Sequence, residues 1–260
     1  MKDILALVEE NTHIAGRLYL LKVLAPEIAK DIKAGHFVMV KVSNSLDPMG
    51  RRAFAVADVR GDSLLIFYDL VGRGTKLLSE LKKGERLWLL GPLGKGLFSY
   101  EGDKHLLLGG GVGLAGLTLL GKELRKMGKM VLFVYAGRSK EHLGMEDWLK
   151  EEGFDYILYT EDGSKGRKGL ITEDGSKGRK GLITEVLKEF DTSWMVHACG
   201  PKGMLRALKN MKTGHSMYFS LESRMACGWG VCLGCVVQTR EGYKRVCYEG
   251  PVFSSEEVIF

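Results

Sequence analysis

Four of the chain's five cysteines fall between residues 227 and 247, as Cys227-GWGV-Cys232-LG-Cys235 followed later by Cys247. No other stretch of the 260 residues limits the fold so tightly. The spacing C-x4-C-x2-C…C suits a [2Fe–2S] cluster, whose two irons are held by four thiolates in a wrapped loop. Gly228, Gly230 and Gly234 supply the turns such a wrap needs. A structural zinc site also takes four cysteines, but typically as two C-x2-C pairs. A pair of disulfides needs an oxidising compartment, and the sequence carries no sign of export. The spacing therefore favours Cys227, Cys232, Cys235 and Cys247 as cluster ligands.

A small metal segment cannot occupy the whole chain, which is long enough for two domains and a small third. Hydrophobic residues at 45% and charged residues at 27% describe an ordinary soluble globular protein. The opening MKDILALVEENTH breaks its apolar run with acids at once, unlike a signal peptide. The weakly polar run from Leu106 to Leu120 is glycine-rich and too short to span a bilayer. Both features predict a cytoplasmic protein. A net charge of +6, spread along the chain without an aromatic ladder, argues against nucleic acid and for soluble anionic cofactors.

The first hundred residues alternate short apolar runs with turn signals, the rhythm of an antiparallel β-barrel. Strands are expected at 4–8, 14–23, 37–42, 53–59, 63–68 and 86–90. Two stretches point to a ligand. In Arg51-Arg52-Ala53-Phe54-Ala55 an arginine that can pair with phosphate precedes a ring that can stack on a flat heterocycle. In Val71-Gly72-Arg73-Gly74-Thr75 a glycine turn opens a short helix, whose free amides suit a pyrophosphate. Arg52, Ala53, Phe54, Ala55, Gly72, Gly74 and Thr75 are thus the candidate flavin residues. The pair resembles the R-x-[YF]-S and G-x-G-T flavin motifs of the ferredoxin–NADP reductase superfamily. Ala55 departs from it, standing where that family usually carries a hydroxyl facing the reactive flavin nitrogen. GPLGKGLF at 91–98 resembles the turn that closes the barrel in the same superfamily.

From about residue 101 the pattern becomes strand, glycine turn, helix, the setting of a dinucleotide site in a parallel-sheet α/β domain. Gly109, Gly110, Gly111 and Gly113 form the turn, which is similar to the superfamily's GGGxGxAP loop with Gly116 in the proline position. A tight βα turn without ligand has the same local signature. Further strands are expected at 131–135, 156–160 and 194–198. Arg138, just past the strand at 131–135, leaves NAD and NADP both open. Cys199-Gly200-Pro201-Lys202-Gly203-Met204 resembles the CGPxxM motif on the nicotinamide side, implying a lining role for Cys199, Gly200 and Pro201. By itself Cys199 reads equally well as a small buried hydrophobe.

Residues 160–171 read TEDGSKGRKGLI and residues 172–183 repeat them without a change. Identity that complete marks a recent or deliberate duplication, not an old structural repeat. Doubling a loop costs only about 0.6 kcal/mol of closure entropy, so the fold is expected to survive with one copy looped out.

Residues 214–260 are expected as a small β-rich [2Fe–2S] domain, after a flavin barrel at 1–100 and a nucleotide domain at 101–213. This order, with SLESRMACGWGVCLGC and the ending C-x-x-GPVF, resembles the electron-transfer subunits of two-component, NAD-dependent dihydroorotate dehydrogenases. The small subunits of NADH-dependent ferredoxin:NADP oxidoreductases share the layout with an aspartate at the first ligand position, and Cys227 favours the pyrimidine enzyme. The resemblance implies FAD, a [2Fe–2S] cluster and NAD, and a heterotetramer with an FMN-containing catalytic subunit that oxidises dihydroorotate. Trp229 would be a docking contact if exposed, and a core residue if not. The rival readings are an NAD(P)H reductase feeding an oxygenase, a hydrogenase or a ferredoxin:NADP oxidoreductase, and a bare electron carrier with a degraded flavin site.

Overall fold

Period-two burial starts the fold. In β1 (Lys2–Ala15) Ala6 and Val8 point inward while Leu5 faces out. Gly16, at φ +53°, reverses the chain into β2 (Leu18–Leu24), which splits the single strand expected at 14–23. Then follow α1 (Pro26–Ala29), β3 (Phe37–Lys41), β4 (Arg52–Ala55), β5 (Asp58–Arg60), β6 (Ser63–Asp69), α2 (Arg73–Glu80) and β7 (Arg86–Leu93). The seven strands form one antiparallel sheet in the order β4-β3-β7-β1-β2-β6-β5. Only residues 56 and 57 separate β4 from β5, yet these strands are its opposite edges. The sheet must therefore curl until its edges meet, as a half-barrel. The expected strand at 53–59 is two strands, because the chain crosses between edges at Val56 and Ala57. Val8, Leu21, Val38, Leu64, Ile66 and Leu89 fill the interior.

The computed structural model describes residues 1–43, 45, 47–165, 178–180 (backbone alone) and 183–260. Its second half runs β8 (Lys104–Gly110), a 3-10 turn (Gly111–Leu114), α3 (Ala115–Lys126), β9 (Met130–Gly137), α4 (Glu146–Glu151), β10 (Asp155–Thr160) and β11 (Gly178–Lys180). A 3-10 helix (Ile183–Glu189), β12 (Trp194–Cys199), α5 (Lys202–Asn210) and β13 (Met217–Ser220) follow. The hairpin of β14 (Val236–Thr239) and β15 (Gly242–Arg245) then precedes β16 (Val252–Ser254).

The second sheet has the order β11-β10-β9-β8-β12-β13-β16. Its first six strands are parallel, but β16 runs antiparallel to β13, so the expected parallel sheet is a mixed one. The reason is the path of the chain. The cysteine segment leaves β13 at its carboxyl end and returns to that same end, whereas a parallel strand would need a crossover to the opposite edge. Residues beyond 213 therefore complete this sheet, and the small C-terminal unit expected at 214–260 shares its core with it. From β8 the chain winds outward through β9 and β10, then resumes at β12 on the other side of β8. That reversal opens a crevice at the carboxyl ends of β8 and β12.

The duplication lies in the β10–β11 connection. Copy one supplies 160–165, where the Thr160 hydroxyl donates to the Lys165 carbonyl at 2.8 Å. Copy two supplies β11, with Thr160 beside Lys180 in parallel register, and Ile183. Together these positions spell one copy, front from the first and back from the second. Residues 166–177, 181 and 182 lie outside the described residues, and with them the expected looped-out copy.

Candidate functional site

A cavity of about 350 Å³ lies between the half-barrel and the crevice of the second sheet. Ala53, Phe54 and Ala55 of β4, Phe67 and Tyr68 of β6, and Thr75 of α2 line its barrel side. Phe54 meets Tyr68 edge to face at 5.8 Å, so neither ring moves independently. Outside the cavity the two flavin motifs touch. A methyl group added at Gly74 would lie 2.7 Å from the Arg52 Nε, so only glycine lets that guanidinium rest on the start of α2. The first intrahelical bond of α2 runs from the Lys76 N–H to the Gly72 carbonyl at 2.9 Å. The amides of Arg73, Gly74 and Thr75 therefore precede the helix ladder and are left for an anion beside Arg52. Thr75 serves the loop instead: its hydroxyl accepts from the Val71 and Gly72 N–H groups at 2.9 and 3.2 Å.

A second cavity of about 710 Å³ adjoins the first, sharing Asp69, Val112, Gly113 and Glu222 with it. Gly110, Gly111, Gly113, Gly200 and Pro201 all line it. Gly111 sits at φ +57° with open space where a side chain would be, leaving its backbone bare to the cleft. Gly109 does not line it; a methyl group there would lie 2.7 Å from the Leu114 Cα, so its task is the tight turn. Arg138, Glu161, Ile183 and Thr184 close the far end. Cys199 is buried and lines the first cavity. Burial, then the charge of Glu222, pushes its thiol far above the ordinary range, which keeps it neutral where it lines the cavity.

The cysteine loop stands at the edge of the first cavity. Ser223 and Met225 line that cavity, and Cys227 follows two residues later, its Cα within about 7 Å of that of Met225. The thiol of Cys227 is hydrogen-bonded to that of Cys232 and the thiol of Cys247 to that of Cys235, with Cys247 also close enough to Cys227 to feel its charge. Two irons, each needing two thiolates, call for such pairing. Backbone amides also point at sulfur, from Gly230 to Cys247 at 3.1 Å and from Cys247 to Cys235 at 3.4 Å. Burial opposes ionisation of Cys227, but the amides of Cys232, Trp229 and Val231 bring its thiol down to about 6. Burial and Cys235 hold Cys247 up at about 12. The donor set fits a two-iron cluster.

Packing fixes the loop from beneath. Gly228, at φ +80°, lies against the barrel, where a methyl group would come 2.7 Å from the Met39 Cγ. Arg245 donates to the Gly230 carbonyl at 2.7 Å and pairs with Glu249 at 2.9 Å. Above it the loop is bare: Trp229, Val231 and Leu233 are 48%, 73% and 59% exposed, and Cys232 is exposed among them.

Several lining residues carry no signal in the sequence. His36 borders the first cavity and His142 the second, although neither has ligand spacing. Asp69, at the end of β6, and Glu222, just after β13, border both. Dehydration by the cavity walls, then the Asp69 carboxylate, raises the Glu222 carboxyl above its usual range. Only the place of Glu222 at the end of a strand entering the cysteine segment hints at a role.

Known proteins resemble this chain throughout. Residues 222–259 match the family described as the iron-sulfur cluster binding domain of dihydroorotate dehydrogenase B. The dihydroorotate dehydrogenase B (NAD(+)) electron transfer subunit homolog of Aquifex aeolicus is 61% identical over 261 residues, covering 100% of this chain and 99% of its own. The electron transfer subunit of Caldanaerobacter subterraneus is 38% identical over 262 residues, covering 98% of both chains. Among solved structures, the NADH-dependent reduced ferredoxin-NADP oxidoreductase superposes with a TM-score of 0.83 at 27% identity, over 98% of this chain and 90% of that one. Phthalate dioxygenase reductase shares the fold alone, with a TM-score of 0.65 at 14% identity over 92% and 87% of the two chains.

Proposed function

Because the chain belongs to the family of dihydroorotate dehydrogenase B electron transfer subunits, we propose that it carries electrons from a dihydroorotate-oxidising, FMN-containing partner, through a [2Fe–2S] cluster and FAD, to NAD. The reaction serves pyrimidine biosynthesis. One observation carries this reading: a single cavity has walls from the half-barrel, from Cys199 beside the nucleotide cleft and from Met225 beside the cluster loop. FAD supplies the conversion between paired electrons, as nicotinamide requires, and single electrons, as the cluster requires.

The chain's own residues divide the work. Arg52 with the amides of 73–75 would hold the pyrophosphate, and Ala53, Phe54, Ala55 and Tyr68 the ring system. Ala55 offers no hydroxyl there, and the carboxyls that border both cavities are those of Asp69 and Glu222. Gly110, Gly111 and Gly113 would carry the nicotinamide nucleotide's phosphates, with Gly200 and Pro201 beside them. Cys199 would face the nicotinamide as a neutral, water-excluding wall. Residues 1–100, 101–213 and 214–260 thus take flavin, nucleotide and cluster in turn. The apolar crown of Trp229, Val231 and Leu233 around exposed Cys232 suits a docking face for the catalytic subunit, in a heterotetramer.

Among the described residues this chain has no helix long and apolar enough to cross a membrane. The test is reconstitution. Mixed with the FMN subunit, the chain should make NAD reduction depend on dihydroorotate, and neither component should do so alone. NAD reduction by the catalytic subunit without this chain would overturn the reading.

A further inference from the structure

Where β4, α3 and β12 converge there is no spare room. A methyl group added at Gly116 would lie 3.2 Å from the Cys199 Sγ and 3.8 Å from the Ala55 Cβ. Ala55 lines the first cavity from the barrel and Cys199 lines it from the end of β12, beside the nucleotide cleft, so the seating of α3 on the barrel sets how far apart these two walls stand. That seating is fastened within a turn of the helix. Thr118, fully buried, donates its hydroxyl to the Ala57 carbonyl at 2.6 Å, and Ala57 is two residues from Ala55. One turn further along, the Lys122 Nζ lies 2.7 Å from the Asp58 Oδ2. Asp58 is 1% exposed and also accepts from the Val59 N–H at 2.9 Å and the Arg60 Nε at 3.1 Å. Arg60 and Lys122 in turn reach Glu152 at 2.8 and 3.4 Å, and Arg125 donates to the Glu152 carbonyl at 2.6 Å.

This network joins the half-barrel to α3 and to the end of α4. Asp58 is on a three-residue edge strand of the half-barrel, yet its carboxylate is paired across the divide to α3. A buried carboxylate left with one partner fewer is costly, so the two halves are held in one register. We infer that Thr118, Lys122 and Asp58 are positioning residues that fix the gap between the flavin and nicotinamide walls for hydride transfer. The inference rests on the reading of the two cavities given above. Reacting atoms must approach to about 3–3.5 Å, and a 1 Å displacement costs on the order of 100-fold in rate. Met225, by contrast, reaches the same cavity from the cysteine segment, away from α3.

The experiment uses the full chain carrying FAD and cluster, with the variants Thr118→Val, Thr118→Ser and Lys122→Met. Three quantities are measured: flavin reduction by saturating NADH in stopped flow, the long-wavelength charge-transfer band of reduced flavin with NAD, and thermal unfolding. Thr118→Val should slow flavin reduction about 10- to 100-fold. KM for NADH should stay near wild type and the charge-transfer band should weaken. Thr118→Ser, which keeps the hydroxyl, should restore both rate and band. A Thr118→Val protein with wild-type rate and band overturns the inference, as does a Thr118→Ser protein as slow as Thr118→Val. Should Thr118→Val not fold, Lys122→Met decides by the same readouts, with a slower rate and weaker band expected and wild-type values contradicting. A wild-type chain that NADH cannot reduce would sink the functional reading itself; unaffected variants of an active wild type sink only the positioning claim.

Discussion

The proposed hydride junction and the cysteine loop lie at the same cavity but are built on opposite principles. Around Ala55, Gly116 and Cys199 the chain is packed to contact, with Thr118 and Asp58 buried and paired beneath. Around Cys227 and Cys232 it is bare above, with Trp229, Val231 and Leu233 in solvent, while Cys235 and Cys247 beneath are buried and joined by sulfur–amide bonds. Hydride moves only across atoms in contact, so its site must be rigid and dry. Single electrons pass between centres that do not touch, so the cluster can stand on a surface loop where a partner reaches it. The rigid site is packed on every side, whereas the cysteine loop is packed only from beneath and would draw its remaining support from its metal.

The largest effect should come from removing that metal support. Cys235→Ser deletes a buried ligand, and dihydroorotate-dependent NAD reduction by the complex should fall on the order of 100-fold or more. Proteolysis should then cut within 223–250 while FAD content stays near wild type. Loss of FAD along with the cluster would break the contrast between the two regions. Trp229→Ala should come next. It trims the exposed crown, and affinity for the FMN subunit, read by calorimetry, should weaken about tenfold, as at an interface anchor. Unchanged affinity would return Trp229 to an ordinary surface role.

Glu222 offers a smaller, pH-dependent test on the rigid side. Its folded carboxyl binds its proton more tightly than the unfolded one, through dehydration and then Asp69. The stability this confers is complete below the unfolded carboxyl value of 4.5 and is lost as pH rises through the higher folded value. Glu222→Gln stays neutral throughout, so in cofactor-free protein it should raise Tm at pH 7 and hardly at all at pH 4, the gain kept small because the exposed side chain is screened by solvent. An equal gain at both pH values would refute this. The smallest effect belongs to the duplication: deleting 166–177 restores one copy of the repeat, and stability should change by no more than about 0.6 kcal/mol. Denaturant titration would expose a larger change.

Legibility follows the same division. The cysteines of the proposed cluster site stand out because Cys227, Cys232 and Cys235 are neighbours in sequence, and the glycine loops because each is a strand–turn–helix unit. Residues that topology gathers from distant turns could not. Asp69 and Glu222 meet at one cleft only because β6 and β13 end there, and nothing local to either residue records that. The crossing at Val56 and Ala57 was hidden because both sides of it have strand composition. The antiparallel β16 followed from the path of the cysteine segment, which composition does not encode. Within the repeat, identical residues cannot reveal which ones hold the sheet, and the register between Thr160 and Lys180 draws on both copies.

The central claim is that iron held by the four C-terminal cysteines exchanges electrons with a flavin that nicotinamide also reaches. Anaerobically purified full-length chain, analysed for iron, sulfide, zinc and flavin and then titrated with NADH, tests it most directly. The account predicts two irons and two acid-labile sulfides with one FAD per chain, and bleaching of both chromophores by NADH. Zinc without flavin, or a flavin that NADH reduces while the iron stays oxidised under excess reductant, would contradict it.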